Sequence, residues 1–328
     1  MNITTTKHQT LLDTIGNTPL VQLTRSPPEV DIFAKLETFN PGGSVKDRIG
    51  KYILEQLLET GTLPEGGTIV EPTAGNTGIG MAIAAAQLDL TAVFVVPRGF
   101  SREKEVLMQA LGAEIVHVDN DVGMAGATER AFELAEEYEN AVVPQQFANH
   151  MNVEAHEQTT GPEVLEALDG NVGALVVGIG SGGTLMGMAK AVQQVVPTVR
   201  VIAVEPAGSA FGSLLGKNRE PAAYKTEGIG THNPTVSELL DPTMIDDIIA
   251  VTDQDAHQEL KRLAREEGHL VGSSAGAASV AAHEIATKIA ADQFDVPHPT
   301  VVTVFPDGSE RYLSKRIYGE FEEWQGKE

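Results

Sequence analysis

Short runs of β-branched residues alternate along this chain with amphipathic stretches of helical length, and turns rich in glycine or serine join several of these pairs. Strands that alternate with helices of this length predict an α/β fold of mostly parallel sheets with helices on both faces. The predicted strands are 68–70, 92–96, 114–118, 174–177, 199–204 and 300–305. The predicted helices are 79–88, 101–111, 124–138, 184–195, 253–267 and 275–290. Asp253 is the candidate cap of its helix, and Gly112 and Gly268 are the expected stops.

The length of the chain, 328 residues, is enough for two lobes around a cleft at roughly 100–200 residues per domain. No apolar run approaches the roughly 18 residues that a membrane helix needs, and the N-terminus lacks a signal-peptide pattern. We therefore expect a cytoplasmic protein that does not contact a membrane. The absence of cysteine excludes disulfides, thiolate metal sites and a cysteine nucleophile, and the scattered histidines show no metal-binding spacing.

Acidic residues outnumber basic ones by 46 to 23, which gives a formal charge of −23. Such a field repels phosphate backbones, so we expect no nucleic-acid partner. The acids are spread over the chain, which favours a solvated surface suited to high salt; an ordinary acidic cytosolic protein is the alternative. In either case, a bound phosphate must be held by local groups that act against the global field.

The first glycine turn, NPGGSVKDR at 40–48, places Lys46 at the start of a helix that Ser44 can cap. The positive end of the helix dipole disfavours an ammonium group and helps to free an amine for reaction with a carbonyl. A capped helix with an ordinary surface lysine is the alternative.

Three further turns follow predicted strands and precede predicted helices. EPTAGNTG at 71–78 offers backbone N–H groups and the Thr73, Asn76 and Thr77 side chains to a carboxylate, although a plain capped turn explains it equally well. GIGSGGT at 178–184 is a strong phosphate cradle. It also matches G-x-G-x-x-G, with Glu205 where a dinucleotide-binding acid is expected. VGSSAG at 271–276 can be read as a serine cap.

The four turns taken together discriminate between these alternatives. Dinucleotide binding uses only the turn at 178–184 and leaves the lysine, asparagine and serine turns without a task. Pyridoxal phosphate (PLP) requires an amine for its aldehyde, a phosphate cradle, a partner for its ring nitrogen and a binder for the substrate carboxylate, which matches all four.

The motifs NPGGSVKDR, EPTAGNTG, GSGGT, EGIG, GSSAG and FPDGSERYLS occur in the order typical of the cysteine synthase and cystathionine β-synthase family. The chain resembles these PLP enzymes, which have the tryptophan-synthase-like fold, from about Ile15 to Tyr318. The resemblance implies two lobes with PLP in the cleft between them. It implies a smaller mobile lobe at 41–152 that carries the asparagine loop, and a larger lobe formed by 1–40 and 153–328.

The resemblance also assigns roles to individual positions. It implies that Lys46 bonds to PLP, that Asn76 contacts the ring hydroxyl and that Ser274 contacts the pyridine nitrogen. The implied phosphate loop comprises Gly180, Ser181, Gly182, Gly183 and Thr184. The implied substrate-binding residues are Thr73, Gly75, Asn76, Thr77, Gln146 and Gly228. Ser309 and the Glu310–Arg311 pair are expected to shape the C-terminal core instead.

The implied reaction is β-replacement on O-acetylserine or serine, with sulfide as nucleophile and cysteine as product. Ala74, Glu227 and the segment 100–104 lean toward the cystathionine-forming branch, in which homocysteine is the nucleophile. A serine or threonine dehydratase is a further alternative. The resemblance also implies a homodimer, supported by the N-terminal segment and the charged tail.

Overall fold

A six-stranded sheet contains strands from both ends of the chain in the computed structural model, which describes residues 7–99, 101–217 and 220–319. In sequence order its strands are β1 (Leu20–Gln22), β2 (Asp31–Leu36), β7 (Ala174–Gly178), β8 (Arg200–Pro206), β9 (Asp247–Val251) and β10 (Thr300–Phe305). Their spatial order is β1-β2-β10-β7-β8-β9, and only the β1–β2 pair is antiparallel.

A second, four-stranded sheet is parallel throughout and has the order β5-β4-β3-β6. Its strands are β3 (Thr68–Pro72), β4 (Thr91–Pro97), β5 (Glu114–Val118) and β6 (Ala141–Val142). They all lie between residues 68 and 142, whereas β1 and β2 join strands from the C-terminal half of the chain.

Helices cover both faces of both sheets. They are α1 (Lys46–Glu59), α2 (Asn76–Gln87), α3 (Arg102–Ala110), α4 (Gly123–Glu137), α5 (Met151–Ala155), α6 (Gly161–Ala167), α7 (Gly183–Val195), α8 (Asp253–Arg262) and α9 (Ser273–Ala290). The helices α8 and α9 share one core with the six-stranded sheet, and α7 packs on its other face. The helices α1 and α2 pack on one face of the four-stranded sheet, and α4 packs on the other. The predicted fold class is therefore confirmed.

The predicted strands and helices occur with boundaries shifted by a few residues. Two capping predictions are wrong. Thr252, not Asp253, caps α8, because its hydroxyl accepts a hydrogen bond from the Asp255 backbone N–H at 3.1 Å. Val45 holds the N-cap position of α1, and Ser44 stands one residue earlier, where its Oγ accepts from the Lys46 N–H at 3.3 Å.

The region predicted as one helix at 253–267 is α-helical only to Arg262 and then widens into a π-helical turn, Leu263–Glu267. Gly268 ends it as expected, with a left-handed φ of +75° that a residue with a side chain adopts less readily. The strands β1, β2, β6 and β9 were not predicted. Among the described residues, no helix is both long enough and apolar enough to span a bilayer.

Candidate active site

Two of the turns singled out by the sequence follow the carboxyl ends of parallel strands. Residues 73–75 follow β3 and lead into α2, and residues 179–182 follow β7 and lead into α7. The turn at 271–276 does not follow a strand as expected: it comes after the π-helical turn, and Val271 forms only an isolated bridge with Gly308. Residues 306–308 follow β10. Ligands of open α/β sheets collect at this edge, outside the carboxyl ends of the strands.

Lys46 begins α1 at a position fixed by its neighbours. The Val45 N–H donates to the Pro306 carbonyl at 2.8 Å, which ties the lysine turn to the segment after β10. A side chain on Gly80 of α2 would place its Cβ 2.5 Å from the Lys46 carbonyl oxygen. The two helices therefore meet closely, and the lysine backbone has little freedom.

Burial lowers the pKa of Lys46 from its usual 10.5 to about 8. The side chain nevertheless keeps part of its surface accessible. The sequence argument attributed a weakened ammonium to the helix dipole, whereas desolvation is the cause in the structure. About a tenth of Lys46 is therefore a neutral, nucleophilic amine at pH 7, compared with well under a thousandth at the usual pKa.

Asn76 at the start of α2 is held by two charged side chains. Its Nδ2 donates to Asp307 Oδ2 at 2.6 Å, and its Oδ1 accepts from Arg311 Nη1 at 2.5 Å. Arg311, which was expected to shape the C-terminal core, therefore also contacts the asparagine turn. The 3₁₀ segment Ser309–Lys315 folds back over the lysine turn, where the Arg311 guanidinium also donates to the Gly42 carbonyl.

The asparagine loop contacts the predicted glutamine directly. Thr77 Oγ1 donates to Gln146 Oε1 at 2.6 Å, and the Gln146 N–H donates to the buried Glu71 carboxylate at 3.1 Å. Thr73 is buried in the same loop. A Cβ added at Gly75 would meet no atom within 4 Å, so this part of the loop faces open space. The structure thus brings Thr73, Gly75, Thr77 and Gln146 together.

The glycine turn before α7 leaves no room for side chains. A Cβ on Gly180 would lie 2.7 Å from the Gly228 carbonyl oxygen, and a Cβ on Gly183 would lie 2.0 Å from Asn152 Oδ1. Gly182, the N-cap of α7, has a left-handed φ of +87°. A turn of this kind at a helix N-terminus presents backbone N–H groups to an anion.

Three buried side chains support this turn from behind. Asn152 Nδ2 donates to Ser181 Oγ at 3.0 Å and to the Gln146 carbonyl at 2.7 Å. His156 Nε2 lies 3.1 Å from Thr184 Oγ1. The Ser237 hydroxyl donates to the Ser181 carbonyl. Asn152 therefore joins the anion cradle to the loop that carries Gln146.

His156 is fully buried behind the cradle. Burial lowers its pKa well below the usual range, and the charges of Arg48 and Lys46 act in the same direction. The sequence treated this histidine only as one of several scattered core or surface residues.

Ser274 lies buried in the first turn of α9, beside the segment after β10. The Gly272 N–H donates to the Asp307 carbonyl at 3.1 Å, and Ser273 Oγ accepts from the Glu227 N–H at 3.2 Å. Glu227 precedes Gly228, whose carbonyl touches the cradle. All four turns therefore belong to one continuous set of contacts.

The sequence did not identify Asp307, Asn152 or His156 as parts of this site. Asp307 stands inside the motif FPDGSERYLS, which was the only signal available for it. Asn152 and His156 lie in and just after α5, which was not predicted. Glu205, the acid of the dinucleotide alternative, is buried and accepts from the Gly212 N–H at 3.1 Å.

The arrangement combines a nucleophilic amine, an anion cradle made of backbone N–H groups and a polar loop suited to a carboxylate. An aldehyde that carries a phosphate group fits this combination, because the amine can condense with the aldehyde while the cradle holds the phosphate.

Comparison with known proteins gives the same result. The family model described as "Pyridoxal-phosphate dependent enzyme" matches residues 11–307. The chain is 46% identical over 310 residues to an O-acetylserine dependent cystathionine beta-synthase of Bacillus subtilis, which covers 94% of this chain and 97% of that relative. It is 41% identical over 314 residues to a cysteine synthase of Helicobacter pylori, with 94% and 98% covered.

A solved structure is equally similar. The crystal structure of an O-acetylserine dependent cystathionine beta-synthase from Helicobacter pylori has a TM-score of 0.85 and 41% identity to this chain. The match covers 96% of this chain and all of that one. The two-sheet fold, the amine beside an anion cradle and the family match agree, and this chain belongs to the family of pyridoxal-phosphate dependent enzymes.

Proposed function

We propose that the chain catalyses β-replacement on O-acetylserine with sulfide as the nucleophile, and so forms cysteine. The observation that carries the proposal is the Lys46 amine, whose pKa burial lowers to about 8, in a turn joined by continuous contacts to a cradle whose glycines leave no room for side chains. The relatives that support it include cysteine synthases at 41% identity over nearly their whole length.

The residues present fit PLP, which supplies an electron sink for bonds at the substrate α-carbon when it is bound. Lys46 would hold its aldehyde, and the cradle formed by Gly180, Ser181, Gly182, Gly183 and Thr184 would hold its phosphate. Asn76 would contact the ring hydroxyl and Ser274 the ring nitrogen. Once released, the Lys46 amine would take the α-proton, in keeping with its lowered pKa.

The substrate carboxylate would bind to the loop that surrounds Gly75. Gly75 borders open space, and the Thr77–Gln146 hydrogen bond closes one side of the loop. The residues proposed to bind the substrate are Thr73, Gly75, Asn76, Thr77, Gln146 and Gly228.

A visible absorption spectrum tests whether PLP is bound covalently to Lys46. The purified chain loaded with PLP should show a visible band that Lys46→Ala abolishes together with activity. Lys51→Ala is the matched control, because Lys51 lies on the same helix and donates to the Leu12 carbonyl at 3.2 Å. A band that survives in Lys46→Ala would refute the assignment of this lysine.

The hydroxyl of Ser274 cannot hold a proton on the ring nitrogen as a carboxylate would. We infer that this weaker electron sink favours β-elimination over transamination. Ser274→Asp should therefore raise the share of transamination products, and unchanged product ratios would contradict this role.

Homocysteine is the second candidate nucleophile, and a specific pair of side chains favours it. The buried Lys104 Nζ lies 3.3 Å from Glu227 Oε2, next to the cleft loop that contains Gly228, and Lys315 also contacts Glu227. A nucleophile with its own ammonium and carboxylate groups would meet charges of both signs here, one carboxylate and two ammonium groups. Ala74 is partly buried against the core that α1 and α2 form with the four-stranded sheet, and Phe100 lies outside the described residues.

A two-by-two assay separates these candidates. O-acetylserine and serine are each tested with sulfide and with homocysteine, and the products cysteine and cystathionine are quantified. A fifth reaction without nucleophile detects the pyruvate and ammonia expected of a dehydratase. If sulfide gives no cysteine with either donor, the main proposal fails.

We also propose a cytoplasmic homodimer whose acidic surface suits high salt and whose segment 41–152 moves as a unit. The N-terminal and C-terminal segments expected to support the dimer include residues 1–6 and 320–328, which lie outside the described residues. Light scattering tests the dimer. The Debye length falls from roughly 10 Å at 0.1 M salt to 3 Å at 1 M. Activity that rises over this range would support an acidic surface suited to high salt.

A further inference from the structure

The Asn76 amide is held between two side chains of opposite polarity. Its NH₂ group donates to Asp307 Oδ2 at 2.6 Å, and its oxygen accepts from Arg311 Nη1 at 2.5 Å. A flip of the amide would turn its oxygen toward the carboxylate and its NH₂ group toward the guanidinium. Both contacts would then be repulsive, so the pair fixes which end of the amide points where.

Asp307 and Arg311 are themselves confined. Both are buried, at 2% and 6% exposure. The Tyr312 hydroxyl donates to the same Asp307 oxygen that Asn76 uses, and Arg311 donates to the Gly42 carbonyl. The backbone of Asp307 is tied to Gly272, where an added Cβ would lie 2.3 Å from Asp307 Oδ1. Neither side chain can move without disturbing a backbone segment of the site.

Asp307 and Arg311 determine which group of the Asn76 amide faces the ligand. After Asp307 has taken one hydrogen of the amide NH₂ group, one N–H remains for another acceptor. A ring oxygen that carries negative charge requires such a donor and is repelled by an amide oxygen. Because Asp307 and Arg311 carry opposite charges, they can set the amide orientation while their charges largely compensate each other.

We propose that Asp307 and Arg311 are positioning residues that orient the Asn76 amide so that its remaining N–H faces the ring oxygen of PLP. This inference rests on the proposed function, in which Asn76 contacts that oxygen. In this role the two residues act on the ligand through Asn76 and not through the reacting atoms.

A double-mutant cycle on the PLP-loaded enzyme tests the proposal. Asn76→Ala, Asp307→Ala and the double variant are compared by PLP dissociation and by the ratio of the longer- to the shorter-wavelength cofactor bands across neutral and alkaline pH. Each single variant should weaken PLP retention roughly tenfold, the worth of one well-aimed hydrogen bond. Each should also shift the band ratio and its pH profile in the same direction.

The cycle should be strongly non-additive. If Asp307 acts through Asn76, Asp307→Ala should have almost no further effect in the Asn76→Ala background. An equal effect of Asp307→Ala in both backgrounds would overturn the inference. Asp307→Asn retains an acceptor oxygen and should restore most of the wild-type band ratio, whereas a merely structural role predicts no such rescue of the spectrum.

Further variants keep the test decisive. Arg311→Met should reproduce the spectral shift and should also lose its effect in the Asn76→Ala background, so it replaces Asp307→Ala if that variant does not fold. Glu205→Gln is the matched control, because Glu205 is also a buried carboxylate at the end of a strand but contacts the Gly212 backbone. Its band ratio should equal that of the wild type.

The outcomes separate this inference from the function on which it rests. A wild-type chain without a cofactor band sensitive to Lys46→Ala would refute the proposed function itself. A normal wild-type band combined with additive effects of Asn76→Ala and Asp307→Ala would refute only the positioning role.

Discussion

Arg48 supports the reactive lysine from two residues away, and its removal should destabilise the whole fold. The side chain is 3% exposed. It forms one fork to Glu37, with Nε at 2.7 Å and Nη2 at 2.8 Å, and a second fork to Glu163, with Nη1 at 2.6 Å and Nη2 at 2.8 Å. Arg48→Met removes the cation and leaves two carboxylates behind.

The loss of stability in Arg48→Met depends on the partners that Glu37 and Glu163 keep. Glu37 is fully buried and would retain only neutral donors, including Thr18 at 2.7 Å and Asn40 at 2.7 Å. Glu163 would retain Lys35 at 2.6 Å. Breaking a buried ion pair from one side costs about 3–5 kcal/mol, so we expect about 4 kcal/mol. An unfolding entropy of about 0.7 kcal/mol/K for 328 residues converts this to a fall in Tm of about 6 °C.

Thermal and urea unfolding at fixed PLP concentration measure this loss, because ligand binding would otherwise shift the apparent stability. Arg130→Met is the matched control, since Arg130 pairs with Glu133 and Glu137 at the surface and its removal should leave the unfolding midpoints near those of the wild type. Arg48→Lys should fall between the two, because one ammonium cannot form both forks. A loss below about 1 kcal/mol for Arg48→Met would refute the reasoning.

PLP loading onto the apoprotein should accelerate as pH rises through about 8, because burial lowers the pKa of Lys46 to that value and only the neutral amine attacks an aldehyde. Visible absorbance after rapid mixing gives the profile, and a flat profile would contradict it. Gly183→Ala should weaken PLP binding roughly tenfold or more. The new Cβ would lie 2.0 Å from Asn152 Oδ1, so the Asn152 side chain would have to move away from the cradle. Titration with PLP measures this, and Gln194→Ala, at an exposed position of the same helix α7, is the control. Burial raises the pKa of Glu163, but the Arg48 contacts outweigh burial and lower it from 4.5 to about 2. The stability that Glu163 contributes should therefore be present above pH 4.5 and lost as pH falls toward 2, and urea midpoints should show a shallower loss in Glu163→Gln.

The parallel strands and their following helices could be predicted because their signal is local. A run such as β10 is buried on both faces and bounded by loops, so six apolar or β-branched residues in a row suffice. The strand β2 could not be predicted in this way, because it contains the buried Lys35, whose charge is compensated by Glu163 far along the chain. The strand β9 begins with Asp247, which pairs with Lys217, so its first residue does not read as a strand.

In the site, too, features with a local sequence signal could be predicted and those that depend on distant residues could not. The glycine and serine turns could be predicted because a tight turn before a helix requires particular residues at fixed spacing. The partners of Asn76 could not, since Asp307 and Arg311 lie 231 and 235 positions away and become neighbours only through the sheet topology. The role of Asn152 could not be predicted either. It bridges the loop of Gln146 and the cradle, and no sequence pattern links these two segments.

This acidic chain must hold an anion mainly with backbone N–H groups, because the buried cations of the described residues already have partners. Among the described residues, the buried lysine and arginine side chains are Lys35, Arg48, Lys104 and Arg311. The first three form ion pairs with buried or partly buried carboxylates, and Arg311 holds Asn76. The cradle sequence at 178–184 contains no cation, so its own contribution comes from backbone N–H groups at the start of α7. Such dipoles act only within about a helical turn, whereas the charge of −23 acts over roughly 10 Å at 0.1 M salt. An anionic ligand is therefore repelled as it approaches and attracted only on arrival, which makes the absence of side chains at Gly180, Gly182 and Gly183 essential to its binding.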